Sequence, residues 1–397
     1  MTDRRPSSPM TASRMWTGLL VVACALLAGC GGGRSSSRPA STPAPAPTPT
    51  RASTTTPTAT RPIRHVFVVV LENEDAGTTF AAGSAAPYLA TTVRRRGAFV
   101  PRYYGIGHHS LGNYLAMISG QAPTRVTQAD CPTFLDVRPG TPAPGGQVRG
   151  QGCVYPATTL TVADQLEAKG LSWKGYMEDM GNDPARDGGT RCAHPANGAR
   201  DTTQGATATD QYATRHNPFV YFHSIIDRRA DCAARDVPLG ALAGDLAHAA
   251  TTPNLAFVTP DLCHDGHDAV CADGSAGGLP AADAFLRSWV PRITGSPAFR
   301  QDGLLVIAFD EAGADASACC GERPGPNTPA PGGGGPGGGR TGAVLLSPSI
   351  RPGTTTSEAY NHYSLLRSIE DLFGLAHLGY AGAPGLRAFG PDVFTGR

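Results

Sequence analysis

Apolar positions recur along this chain in two distinct periods. His65–Leu71 (HVFVVVL) is an almost unbroken β-branched and aromatic run, as are Asn254–Thr259 (NLAFVT) and Gly303–Phe309 (GLLVIAF). Runs of this kind suit strands buried on both faces of a parallel sheet. Ala98–Val100 with Tyr103–Tyr104 predicts a further strand, and Leu171–Met177 and Thr341–Leu346 predict two more. Between them the period changes. Leu111, Tyr114, Leu115, Met117 and Ile118 follow helical spacing after Ser110, which places Ser110 at or next to a helix N-terminus, as an N-cap or as something more. Thr161–Lys169, Leu239–Ala249, Ala281–Ile293 and the stretch opened by Asn361-His362-Tyr363-Ser364 predict helices with one apolar face. Strands alternating with helices predict an α/β fold with a mostly parallel central sheet covered by helices on both faces.

The N-terminal part reads differently. Arg4, Arg5 and Arg14 precede an apolar run from Met15 to Ala28, and the run ends in Leu27-Ala28-Gly29-Cys30. This is a signal peptide pattern whose end resembles the lipobox of bacterial lipoproteins; the alternative is an ordinary secretory signal cut nearby. Either implies an exported protein, lipid-anchored at the cell membrane or secreted, touching the membrane through the lipid alone. Residues 31–61 are Gly, Ser, Pro, Thr and Ala with scattered Arg, a composition that buries too little to fold and reads as a tether. Residues 62–397 form the body, within which the 321–340 stretch, centred on GGGGPGGG, reads as a flexible loop without a phosphate-cradle pattern. Nothing after the N-terminal run approaches the roughly 18 apolar residues of a membrane span.

Net charge is +1, with charged residues at 16 %, which argues against a nucleic-acid surface. Apart from Cys24 and Cys30, the cysteines are Cys131, Cys153, Cys192, Cys232, Cys263, Cys271, Cys319 and Cys320. In an exported chain this even set reads as disulfides, with the local pairs Cys131–Cys153 and Cys263–Cys271 preferred. Vicinal Cys319 and Cys320 bond to each other or to separate distant partners, and no spacing suggests a thiolate zinc site.

Chemistry gathers where the predicted strands end. His65–Leu71 runs into Glu72-Asn73-Glu74-Asp75, Gly303–Phe309 into Asp310-Glu311, and Asn254–Thr259 into Asp261, His264, Asp265, His267 and Asp268. Open α/β sheets bind ligands beyond the carboxyl ends of their strands, and carboxylates clustered there repel one another unless a cation intervenes. Three such junctions, with Ser110 at a fourth strand–helix junction behind His108 and His109, point to a metal-assisted active site of oxygen and imidazole donors.

Six motifs, LEN (71–73), HHSLGNYLAMISG (108–120), HNPFVYF (216–222), TPDLCHDGHD (259–268), FDE (309–311) and NHYSLLRSIEDLFGL (361–375), stand in an order that resembles the bacterial phosphoesterase family. That family contains acid phosphatases, phosphatidylinositol-3-phosphatase-like proteins and phosphocholine-preferring phospholipases C, within the alkaline phosphatase-like superfamily. The resemblance implies a metal-dependent phosphatase for small phosphorylated substrates, or phosphoinositide and phospholipid head groups, working through a phosphoserine. It implies one or two divalent ions of unspecified identity. Carried over by motif, Ser110 is the nucleophile and Glu72, Asn73, Ser110, Asp310 and Glu311 hold metal. Asp261, Asp265 and His267 stand around the phosphate or a second ion. His264 or His362 protonates the leaving group, with His109 beside the phosphate and His108, His216 and Asn113 as supporting neighbours. Glu74 and Asp75 follow Asn73 where many members have His-Ser or Lys-Ser, which adds negative charge. The rival readings are a phosphodiesterase or phospholipase C on the same centre, and a non-catalytic cell-envelope binding lipoprotein.

Overall fold

The computed structural model describes residues 62–332 and 334–396. The signal peptide, Cys30 and the 31–61 tether lie outside the described residues. Three long apolar runs form the middle of an eight-stranded sheet, in which His65–Leu71 lies between Gly303–Phe309 and Leu255–Thr259, parallel to both. Beyond Leu255–Thr259 come Trp173–Met177 and Asp236–Pro238, again parallel. On the other side Ala343–Leu346 runs antiparallel to Gly303–Phe309 and to Ala98–Val100, and Thr354–Thr355 closes that edge parallel to Ala98–Val100. The sheet is therefore mixed and mostly parallel.

Side-chain alternation explains why the middle runs carry no polar period. Val66, Val68 and Val70 pack on one face with the helices Ser110–Ser119, Val162–Ala168 and His362–Phe373. Phe67, Val69 and Leu71 pack on the other face with Gly278–Gly295. Each strand is apolar throughout because neither face meets water.

Local sequence sets several helix starts. Thr161 and Asp164 form a capping box, and Asn361 Oδ1 accepts from the Ser364 amide at 3.0 Å. The helix anticipated over 239–249 shortens to Ala241–Asp245. Gly244 weakens it, and the hydroxyls of Thr251 and Thr252 take the carbonyls of Asp245 and His248. Gly278–Gly295 exceeds the anticipated 281–293 at both ends.

Both preferred disulfides form, together with Cys192–Cys232 and the vicinal Cys319–Cys320. The glycine-rich 321–340 stretch packs against Gly105-Ile106-Gly107. A Cβ on Gly107 would stand 2.5 Å from the Gly332 carbonyl oxygen, and one on Gly338 would stand 2.6 Å from that of Gly107. Here glycine permits backbone to lie directly on backbone. Among the described residues no helix is long and apolar enough to cross a membrane.

Candidate active site

Because the three middle strands are parallel and in register, their carboxyl ends reach one sheet edge. Leu71 pairs with Phe309, so Glu72 and Asp310 emerge side by side, and the Glu72 amide donates to the Asp265 carbonyl at 2.8 Å. Glu72 is 1 % exposed. Its Oε2 accepts from Ser110 Oγ at 2.8 Å and its Oε1 from the Tyr114 hydroxyl at 2.6 Å.

Ser110 is the first residue of its helix and not its cap. The cap position belongs to His109, which offers no side-chain bond, while Asp130 Oδ1 accepts from the Leu111 amide at 3.0 Å. The serine hydroxyl is thereby left to face Glu72. Asn113, one turn on, accepts from the amides of Ile106 and Gly107 and donates to the Gly107 and His109 carbonyls and to Glu311 Oε2. It ties the segment entering the helix to the 303–309 strand end. Asn73, His109 and Asp130 have φ of 54°, 81° and 54°. Such left-handed backbone at non-glycine residues costs roughly 1–3 kcal/mol each and clusters at functional sites.

A cavity of about 280 Å³ opens over this group, lined by Glu72, Asn73, His108, His109, Ser110, Asp130, Arg215, His216, His267 and Glu311. His108 Nδ1 lies 3.4 Å from Glu311 and His109 Nδ1 3.6 Å from Asp130, and these carboxylates raise both imidazoles above their ordinary value. His216 lies flat on Tyr114, 3.5 Å from Glu72 Oε1 and 3.8 Å from Asp265 Oδ2, and burial holds it well below the usual range. Burial, with the charges of Asp310 and Asp265 beside it, raises Glu72 well above the carboxylate range; burial and Glu311 do the same to Asp310. Burial pushes Asp265 up to about 8.

Several buried atoms here lack any hydrogen-bond partner: Asn73 Oδ1, Asp310 Oδ2, Asp265 Oδ2 and both nitrogens of His216. Buried polar atoms are normally satisfied, and these are oxygen and imidazole donors of the kind hard and borderline divalent ions take. The residues present therefore fit a divalent cation. Among the described residues, the His, Cys, Asp and Glu groups drawn within 4.8 Å are Cys192/Cys232/Asp236 and Asp261/Cys263/His264. Each contains a disulfide cysteine, which has no thiolate to offer. The donors around Glu72 are more widely spaced than these.

Six residues expected at the site are not on the cavity wall: Asp310, Asp265 and Asn113 sit beside the wall residues Asn73, His216 and Glu311, whereas Asp261, His264 and His362 are engaged elsewhere. Asp261 Oδ1 accepts from the amides of Cys263 and His264, folding its own loop. His264 Nδ1 lies 3.1 Å from both Glu178 and Asp261, whose hydrogen bonds push the imidazole up to about 10. His362 is fully buried, bonded by Nδ1 to the Tyr103 hydroxyl at 3.0 Å and by Nε2 to the Asp310 carbonyl. Burial brings it down to about 4, and both ring nitrogens are already engaged by Tyr103 and the Asp310 carbonyl. It anchors the strand end that carries Asp310. His267 lines the cavity rim, about half exposed, with Nδ1 2.8 Å from Asp268.

The Phosphoesterase family profile matches residues 79–376. This chain belongs to the Phosphoesterase family. An acid phosphatase of Aspergillus fumigatus is 25% identical over 79% of this chain and 55% of its own length. The phosphatidylinositol-3-phosphatase of Mycobacterium tuberculosis is 24% identical over 80% of this chain and 79% of its own. The chain thus spans about half the length of the fungal relative. A solved alkaline phosphatase superfamily protein from Vibrio parahaemolyticus aligns with a TM-score of 0.44 at 12% identity, covering 81% of this chain and 69% of that one.

In this phosphoesterase two cavity residues were not apparent from the sequence. Asp130 precedes Cys131, away from any strand end, and no local pattern marks it. Arg215 immediately precedes His216 in the HNPF motif, and the motif's first residue was the available signal. Among the described residues it is the only Arg or Lys on the cavity wall, and its Nη1 donates to the Gln204 carbonyl at 3.1 Å.

Proposed function

We propose that this phosphoesterase is an exported hydrolase of phosphate monoesters that works through a phosphoserine on Ser110. The observation that carries the reading is the 2.8 Å bond from Ser110 Oγ to buried Glu72, inside a cavity also lined by Arg215, His108 and His109. Family membership and the acid phosphatase relative support phosphate-ester chemistry. Order along residues 4–30, basic then apolar then Leu-Ala-Gly-Cys, supports export with a lipid on Cys30.

Glu72 Oε2 accepts the hydroxyl proton as Ser110 Oγ attacks phosphorus. The Oγ–P bond forms, the ester P–O bond breaks, and the departing alkoxide takes a proton from His109 or His108, the imidazoles that face the cavity. Water, giving a proton back to the same imidazole, then attacks the phosphoserine; the Oγ–P bond breaks, orthophosphate leaves, and Ser110 recovers its proton from Glu72. Asn113 and His362 keep the helix start and the Asp310 strand end in place, so the reacting groups need little rearrangement. Glu72, Asn73, Ser110, Asp310 and Glu311 would hold a divalent cation, with Asp265, His216 and His267 as further donors. When bound, such an ion neutralises charge on the phosphoryl oxygens and favours the deprotonated hydroxyl.

The test is a panel of phosphate monoesters and diesters with defined divalent metals, paired with acid-quench mass spectrometry of the Ser110 peptide. Release of a phosphorylated head group from diesters, ahead of monoester turnover, replaces this reading with a phospholipase C. Absence of any turnover by a folded, metal-loaded protein replaces it with the binding lipoprotein.

A further inference from the structure

Beside the Ser110 cavity lies a second one of about 290 Å³. The two share His108 and His109 and no other wall residue. Gln128 and four glycines of the 321–340 stretch, Gly332, Gly334, Gly335 and Gly337, make the rest of the second wall. Among the described residues no carboxylate and no apolar side chain lines it. Its polar groups are the glycine backbone, the Gln128 carboxamide and two imidazoles.

This wall is held in place. Gln128 Nε2 donates to the Gly332 carbonyl at 2.5 Å, and a Cβ on Gly332 would stand 2.4 Å from the Ile106 carbonyl oxygen. The bare backbone surface therefore follows from close packing against the segment that leads into Ser110. At the first cavity the polarity is of another kind. Arg215 forms no ion pair within 4.0 Å among the described residues and spends one guanidinium nitrogen on Gln204, whereas Arg186 is committed to Asp187 and Asp210 at 2.8 and 2.9 Å. An unpaired guanidinium beside the serine is suited to phosphoryl oxygens.

We propose that the second cavity is the leaving-group subsite of the active site and takes a compact, hydroxyl-rich alcohol, a polyol or a sugar. The phosphoryl group then lies on Arg215 and the ester oxygen against His108 and His109. This rests on the reaction proposed above. Each cavity falls near the lower end of the roughly 300–1,000 Å³ typical of ligand sites. The wall offers hydrogen-bonding groups to hydroxyls and, among the described residues, no aliphatic side chain to acyl chains.

The test uses Gly334→Phe and Arg215→Ala in the full chain. A Cβ at Gly334 meets nothing within 4 Å, and its φ lies outside the left-handed range, so this variant is expected to melt like the wild type. Its KM for a hexose 6-phosphate rises roughly tenfold or more, while competitive inhibition by inorganic phosphate stays unchanged. Arg215→Ala weakens inorganic phosphate and every ester by a similar factor. A folded Gly334→Phe with unchanged hexose phosphate KM overturns the subsite, as does a wild-type kcat/KM higher for phosphatidylinositol 3-phosphate in dioleoyl phosphatidylcholine vesicles than for the hexose phosphate. Activity in Ser110→Ala removes the nucleophile alone and leaves the KM comparison readable. A wild type that turns over no phosphate ester removes the reaction and the subsite together.

Discussion

Ser110 and Glu72 meet across 2.8 Å although they belong to a helix start and a strand end 38 residues apart. The meeting depends on Asp130 taking the Leu111 amide, on Asn113 holding the loop before the helix, and on the central position of the 65–71 strand. If this pair starts the chemistry, Ser110→Ala lowers kcat by roughly 10³-fold or more while the melting temperature stays near that of the wild type. An acid-quenched wild-type sample yields a phosphopeptide containing Ser110, and the variant yields none. Wild-type rates in the variant sink the assignment.

Metal dependence is tested by removal. Asp310→Asn and Glu72→Gln are expected to lower bound divalent metal per chain and to cut turnover roughly a hundredfold or more, because unpartnered Asp310 Oδ2 and buried Glu72 belong to the proposed donor set. Elemental analysis of the purified variants checks the first expectation and chelation followed by metal add-back the second. Full activity after exhaustive chelation, with no metal found, contradicts it.

Two histidine variants separate the competing proton donors. His109 lines the cavity 3.6 Å from Asp130, and His264 is spent on Glu178 and Asp261 outside the wall. His109→Ala is expected to lose roughly 10²–10⁴ in rate on esters with poor leaving groups, and less on p-nitrophenyl phosphate. His264→Ala is expected to keep its rate and to melt roughly 2–4 °C lower. The reverse pattern returns the acid role to His264.

Glu322 supplies a pH effect on stability that is separate from the reaction. Its Oε1 accepts from Asn361 Nδ2 at 2.7 Å, its Oε2 is buried without a partner, and burial pushes it from 4.5 up to about 8. The folded state therefore holds this proton more tightly than the unfolded one. The associated stability is fully present below about pH 4.5 and is lost as pH rises towards about 8. Glu322→Gln should flatten that part of the profile, so that its melting temperature relative to the wild type rises between pH 5 and pH 8. Parallel profiles would show that Glu322 does not titrate in this range.

The residues alone determined the middle of the sheet and its junctions, but not the edge strands Asp236–Pro238 and Thr354–Thr355 or the separation of Tyr103–Tyr104 from Ala98–Val100. Runs such as HVFVVVL and GLLVIAF must be buried on both faces, which makes them central strands and makes Glu72 and Asp310 the first polar positions beyond the core. Helical spacing after Ser110 was equally local, and the helix Ser110–Ser119 follows it. The roles of the histidines were not local. His264 lies five residues beyond a strand end and has the right chemistry, yet Glu178, from a neighbouring strand end, takes its ring; His362 stands in a motif, yet the pairing of Tyr103–Tyr104 with Tyr360–Asn361 buries it against Tyr103 and the Asp310 carbonyl. Arg215 and Asp130 reach the cavity from a turn and a loop whose paths are set by long-range packing. Periodicity reports which side of an element faces the core. Which side chains converge on one point depends on strand order, crossovers and the partners that claim each polar group first, and those are settled only when the chain is folded.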